Sequence, residues 1–386
     1  MPFASLLIKN PIIYLENGES TTGSLFIQDG KISSIEPDVF TTTVDPSTTI
    51  MDGNGLHLIP GFIDTHIHGA NGADTMDASG NALDTIAAYI PKEGTTSFLA
   101  TTMTQPTENI ENALRQFSSY ENKPGQAEIL GVHLEGPFVE KSKAGAQPLV
   151  SIKKPNLNLF KSWQQLSGNN IRIITMAPEH DPSGKFISAL KKQGVVVSAG
   201  HTNAAFAEIK QATTQGVTQL THLCNAMNGI HHRDIGAVGA AFLLKELKAE
   251  LIADEIHVVP EMLELIYENM GSERIILITD GMRAKGLQDG EYDLGGQSVT
   301  VAGGKATLAD GTLAGSVLSM RDAAVNMMKV AGVTIHDIIK MTAENSAKQI
   351  GVYDRKGSIT IGKDADLLLV DEKFNIKHTI CKGHLY

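Results

Sequence analysis

The chain has 386 residues, 42% of them hydrophobic and 19% charged, with 37 glycines and no low-complexity tract. It is too long for one ordinary core, so two domains, or one large barrel with an appendage, are expected. A net charge of −11 with no basic run argues against nucleic acid or an anionic membrane as partner. Two cysteines, Cys224 and Cys381, imply no disulfide framework and fit a reducing compartment.

The opening segment, "MPFASLLIKNPIIYLENG", has its apolar run cut by Lys9, Asn10 and Pro11. That predicts a strand, and neither a signal peptide nor a membrane span, so a cytoplasmic protein is expected. "SLFIQDGKISSIEP" and "TIMDGNGLHLIP" follow as further short β-rich runs, and the final "GSITIGKDADLLLVDEKFNIKHTICKGHLY" has the same character. Neither end has material for a stack of its own, so residues 1–58 and 357–386 are expected to pair into one small, discontinuous β-sandwich.

Residues 59–356 alternate. Apolar strand-like runs recur as "GFIDTHIH", "TSFLATTM", "AEILGVHLEG", "IRIITMAPE", "VVVSAGH", "VTQLTHLCNAM", "AELIAD" and "RIILITDG". Amphipathic helical patterns such as "TENIENALRQFSSY" and "PEMLELIYENMGS" separate most of them, and the connection from Asn225 to Lys248 is longer and less regular. Eight buried, unalternating strands joined by helices predict parallel pairing, and eight is the number that closes a (β/α)₈ barrel of the TIM type. No GxGxxG follows the first strand, so an open dinucleotide-binding sheet has no support. Gly281 to Gly311 reads as a glycine-rich insertion with strand-like pieces, a lid between strand eight and its helix.

The polar residues cluster at strand ends. His66 and His68, in "PGFIDTHIHG", are spaced i and i+2 and so face the same way on a strand, a two-point chelate. Glu135 ends strand three, His201 strand five and Asp280 strand eight, while His222 is placed on strand six. In this barrel the loops after the strands build the active site. Four imidazoles and two carboxylates at one mouth suit one or two divalent ions, Zn²⁺ or Fe²⁺. His133 shares the inward face of strand three as a structural neighbour, His180 lies close to the expected pocket, His57 and His384 are expected at the surface, and Cys224 is expected as a buried thiol.

These residues, with "HLEGPF", "KAGAQP", "GHTNA", "THLCNAMNGIHHR", "ADEIHV", "TDGM" and "LAGS", resemble the amidohydrolase superfamily. Within it the pattern is similar to the deacetylase family acting on N-acetylglucosamine 6-phosphate. The resemblance implies that Glu135, His201 and His222 hold one metal, with His66 and His68 supporting a second and Glu135 as a bridge. It also implies a homodimer and a phosphorylated amino sugar as the small-molecule partner. Asp280 is then the general base that takes a proton from the attacking water and returns it to the leaving amine, and it is expected to serve as a metal ligand as well. Phosphate is expected at Asn225, the Ala226 amide, His232, Arg233 and His257, with the long loop able to reach a neighbour's site. Ala146, Gln147, Leu313, Ala314, Gly315 and Ser316 are expected to bound the sugar. Gln147 stands where some relatives have histidine, and a glutamine can donate a hydrogen bond but cannot carry a proton. Alternatives are another barrel amidohydrolase, acting on a different N-acetyl hexosamine phosphate or an N-acyl amino acid, and a non-catalytic metal-binding protein. The last needs neither Asp280 as a base nor more than four ligands.

Overall fold

A computed structural model describes residues 5–37 and 45–386. The eight expected barrel strands are present in chain order at Phe62–Ile67, Thr95–Thr102, Glu128–Glu135, Ile171–Met176, Val196–Ala199, Val217–Leu220, Lys248–Leu251 and Ile275–Leu277. Each pairs in parallel with the next. The ring closes where strand eight runs on past its end: the Asp280 amide donates to His66 O, the His68 amide donates to Gly281 O, and Ile67 bridges Gly281 in parallel. A helix follows every strand, at 80–89, 107–118, 157–166, 185–191, 206–215, 236–243, 260–270 and 320–328. The inner faces of the helices from 107–118 onward share one core with the strands, which includes Phe138, Phe160, Trp163 and Phe186, while helix 80–89 packs Leu83 and Ile86 in a second cluster with Ile67, Phe98 and Ile129.

The far end of the barrel is stoppered. Ala347 and Ile350, on and just past the helical run 335–349, pack against Ile63, Leu99, Leu130 and Ile173 from four strands. Asn345 fastens the plug by donating its side-chain amide to Ser272 O and Ile275 O at 2.7 and 2.8 Å. The opposite mouth is thereby left as the open face.

Both chain ends lie in a single connected sheet. Leu6–Tyr14 pairs with Ser20–Gln28, Thr49–Asp52 and His57–Pro60, and the last of these takes Leu367–Val370 as an antiparallel partner. The sheet folds around its own apolar core of Leu6, Ile8, Ile13, Leu25, Ile27, Leu58, Leu367 and Ile380. His57, expected at the surface, is half-buried with Nδ1 2.9 Å from the Tyr14 hydroxyl. The glycine-rich insertion forms three antiparallel strands, Gly290–Leu294, Gln297–Ala302 and Lys305–Thr307, packed over the mouth through Leu294, Val299 and Val301 against Met103 and Met282.

A buried ionic cluster joins the end sheet to the barrel. Glu128, opening strand three, takes Arg355 through two bonds of 2.9 Å and Lys356 at 2.8 Å, while Arg355 also reaches Asp364 at 2.6 Å and Lys356 also pairs with Asp366. Burial opposes ionisation of Glu128, but Arg355 and Lys356 outweigh it and hold the carboxyl at a pKa of about 2. A carboxyl depressed in the folded state stabilises the fold above its unfolded pKa, about 4.3, and the gain is lost as pH falls toward the folded value. Glu128→Gln is therefore expected to cost ~3 kcal/mol at pH 7. In urea titrations its deficit should shrink progressively between about pH 4.5 and 2. A deficit independent of pH would remove the charge from the explanation.

Candidate metal centre and active site

The mouth of the barrel gathers all six strand-end residues, and it does so partly by bending the backbone. His201, His222 and Asp280 lie two or three residues beyond their strands at φ of 48°, 30° and 50°. This left-handed conformation costs a non-glycine residue roughly 1 kcal/mol and persists where the surroundings enforce it. It turns each side chain inward over the strand end. His222 is thus not on strand six as the sequence suggested, because that strand stops at Leu220 and the chain turns before the histidine.

One group is Glu135, His201 and His222. His201 Nδ1 lies 2.9 Å from Lys143 O, and His222 Nδ1 lies 3.2 Å from Asn225 O. A carbonyl can only accept, so both Nδ1 atoms carry the proton and both Nε2 atoms are left as lone pairs. Those two Nε2 atoms are 3.1 Å apart, and each is close to Glu135 Oε1, at 3.1 and 3.3 Å. Two lone pairs and a carboxylate oxygen converging at this range repel one another unless a cation sits among them.

The second group is His66, His68 and Asp280. His66 Nδ1 lies 2.9 Å from Glu250 Oε2, and Gln219 donates to the other oxygen of Glu250 at 2.7 Å. This carboxylate–histidine pairing fixes the ring and leaves Nε2, fully buried and without a hydrogen-bond partner among the described residues, aimed at the site. That Nε2 is 3.5 Å from Asp280 Oδ1 and 3.6 Å from Glu135 Oε1, and His68 Nε2 is 3.2 Å from Asp280 Oδ1 and 3.3 Å from Glu135 Oε2. Glu135 therefore offers one oxygen to each group. Donor identity, tautomer and spacing all fit divalent metal.

The electrostatics agree. Burial alone would lower the His66 pKa, but Asp280, Glu250 and Glu135 outweigh it and raise it to about 9. Burial opposes ionisation of Asp280, yet His66 and His68 bring it down to about 2, and Glu135 is held well below the usual carboxylate range against the same penalty. The same carboxylates that draw a proton to His66 supply the negative potential that would favour a bound cation in its place.

A cleft of about 340 Å³ opens above the cluster. Ala146, Gln147, Asn225, Ala226, His257, Leu313 and Gly315 line it together with His68, Glu135, His201, His222 and Asp280. Ala314 and Ser316 are buried behind this lining. The Ser316 amide donates to Asp280 O, so its contact is with the backbone of strand eight. His232 and Arg233 are exposed outside the cleft, paired with each other at 2.8 Å. Gln147 is engaged at both ends: its Oε1 accepts from the Thr104 amide at 2.8 Å, so its Nε2 donates to Glu135 Oε2 at 2.6 Å. His257 is held by Asp254 at 2.6 Å. His133 binds Thr65 O and the Thr175 hydroxyl and makes no approach to the cleft, and His180 pairs with Glu140 at 3.1 Å. Cys224, expected as a buried thiol, is half-buried because the chain leaves strand six before it, and what burial it has pushes its thiol up to about 12.

The sequence reading missed Lys143, the one lysine or arginine in the cleft wall among the described residues, whose Nζ lies 3.4 Å from Met227 O. It also missed Glu250, although an acid inside the apolar run "AELIAD" was a visible signal.

Barrel, mouth and ligand geometry define a metal-dependent amidohydrolase, and comparison with known proteins agrees. The amidohydrolase family matches residues 57–386. N-acetylglucosamine-6-phosphate deacetylase of Bacillus subtilis (strain 168) is 47% identical over 386 residues, covering 99% of this chain and 97% of that one. The protein of the same name from Lysinibacillus sphaericus is 44% identical over 100% of this chain and 98% of its own. The crystal structure of N-acetylglucosamine-6-phosphate deacetylase from Pasteurella multocida superposes with a TM-score of 0.90 at 29% identity, covering 99% of each chain. The chain belongs to the amidohydrolase family and, within it, to the N-acetylglucosamine-6-phosphate deacetylases.

Proposed function

We infer that the protein hydrolyses the acetamide of N-acetylglucosamine 6-phosphate to glucosamine 6-phosphate and acetate, in amino-sugar catabolism. The observation that carries this reading is the convergence of two lone-pair Nε2 atoms on Glu135 Oε1 beside Asp280. It lies in a cleft of a chain that matches such deacetylases along its whole length.

Glu135, His201 and His222 would hold one divalent ion, Zn²⁺ or Fe²⁺, and His66 and His68, with Glu135 and Asp280, a second. Metal bound there supplies the Lewis acidity that makes water nucleophilic near neutral pH and polarises the amide carbonyl. Asp280, anionic and at the edge of the cleft, accepts the proton that water loses and delivers it to the amine nitrogen, which leaves poorly as an anion. Gln147 serves by orienting Glu135. Residues 1–58 and 357–386 form the small domain of this reading and residues 59–356 the catalytic one.

The phosphate would be held by Lys143, His257, Asn225 and the Ala226 amide, all from residues that line the cleft. With a net charge of −11, the chain as a whole repels a sugar phosphate, so local donors must supply the affinity. Arg233 is exposed and does not line its own cleft, which supports a homodimer in which the loop reads phosphate bound by the neighbouring copy. Acetate release should be measured from phosphorylated and unphosphorylated N-acetyl sugars, including the galactose epimer, with metal content on the same sample. Arg233→Ala is expected to lower kcat/KM for the phosphorylated sugar on the order of 10²-fold and to match wild type on the unphosphorylated one. Mixing Arg233→Ala with Asp280→Asn chains should regenerate activity in mixed dimers. Equal losses on both sugars would show that Arg233 only holds its loop together.

A further inference from the structure

The motif around the first strand contains a third polar residue that the mechanism leaves unused. Asp64 is fully buried, two residues before His66. Its Oδ2 accepts from the Thr279 hydroxyl at 2.6 Å, and its Oδ1 accepts from the His66 and Thr279 amides at 3.2 and 3.3 Å. Each of these donors belongs to a residue of the site or to its immediate neighbour in the chain.

Thr279 directly precedes Asp280, and its hydroxyl also accepts from the Gly281 amide at 3.1 Å, so one oxygen spans Asp280 from both sides. The Asp280 amide donates to His66 O and its carbonyl accepts from the Ser316 amide, both at 2.8 Å, while the Ser316 hydroxyl donates to Thr279 O at 2.5 Å. The peptide units flanking Asp280 are thus fixed, which accounts for a non-glycine residue held at φ 50°. Lys285, 1% exposed, pairs with Glu93, its Nζ 2.5 Å from Glu93 Oε1. Its stem returns beneath Gly281, where a Cβ would meet Lys285 Cδ at 2.8 Å.

An apolar pair would seal the seam between strands one and eight without burying a carboxyl group. The carboxylate instead binds the backbone that carries His66 and the residue that carries Asp280. We propose that Asp64 is a positioning residue for Asp280, acting through the Thr279 hydroxyl. The spacing Asp64, His66, His68 then sets two metal-facing imidazoles and the alignment of the base from one strand. This rests on Asp280 as the proton acceptor of the deacetylation.

Thr279→Val removes only the hydroxyl from a side chain of the same shape, and Thr279→Ser keeps it. With wild-type deacetylation of N-acetylglucosamine 6-phosphate established first, Thr279→Val is expected to lower kcat about 10- to 100-fold, the range for a slightly misplaced reacting group. KM should stay within about twofold, and metal content and calorimetric affinity for glucosamine 6-phosphate should remain at wild-type values. Thr279→Ser should recover most of kcat. Asp64→Asn, which cannot accept from the Thr279 hydroxyl once its amide turns that way, should behave like Thr279→Val if it folds. Wild-type kcat in Thr279→Val, or joint loss of kcat, KM, metal and thermal stability in valine and serine variants alike, would overturn the proposal. A wild-type protein without acetate release would instead sink the deacetylase reading.

Discussion

Replacing Asp280 by asparagine is expected to lower kcat by roughly 10²–10⁴ while moving KM much less. The shape is kept and the acceptor for the water's proton is lost. The two roles open to this side chain can be separated because its Oδ1 is 3.2 and 3.5 Å from His68 and His66 Nε2. Metal content of the variant, determined on the protein used for kinetics, decides between them. A drop in kcat at full metal content isolates proton transfer, a parallel loss of metal assigns the effect to ligation, and wild-type kcat removes Asp280 from the mechanism.

Chelation is expected to abolish turnover, with Zn²⁺ or Fe²⁺ restoring it. Glu135→Ala should lose both metal and activity beyond rescue at ordinary metal concentrations, because one oxygen of Glu135 faces His201 and His222 and the other faces His68. His66→Ala strips only the second group and should lower the metal stoichiometry while leaving partial activity. Its effect should be approached by Glu250→Gln, since loss of the partner on His66 Nδ1 typically weakens metal binding about 10- to 100-fold. Full activity in a demonstrably metal-free sample would end the metal reading altogether.

The barrel was legible because its strands are buried on both faces and spaced by helices, so the apolar runs stand out against amphipathic segments. The candidate ligands were legible because they fall at strand ends, where a histidine or acid after an apolar run has little structural reason to be. What escaped depends on side chains meeting across the fold. Glu250 sits in a run that reads as core, and its meaning appears only when His66 arrives 2.9 Å away. Lys285 reads as one more surface lysine until its stem is seen to turn back under Gly281. Ser316 lies in a motif whose neighbours Leu313 and Gly315 do line the cleft, and local sequence cannot tell which residue of a turn faces inward. His222 was assigned to strand six because its run continues apolar to Met227, and only the left-handed turn ends the strand early.

The sheet shared by the chain ends also bears on synthesis. His57–Pro60 pairs antiparallel with Leu367–Val370, which is made some 300 residues later. At about 5–20 residues per second, that edge waits roughly 15–60 s on the ribosome with its backbone donors and acceptors open. The strands before it, rich in Ile and Leu, can pair among themselves but cannot enclose their core until Leu367, Leu369 and Ile380 arrive. Over that interval the nascent chain presents an unpaired β-edge of the kind that recruits a second copy or a chaperone. Slowing translation between the barrel and the final strands should therefore lower soluble yield while leaving the folded protein unchanged.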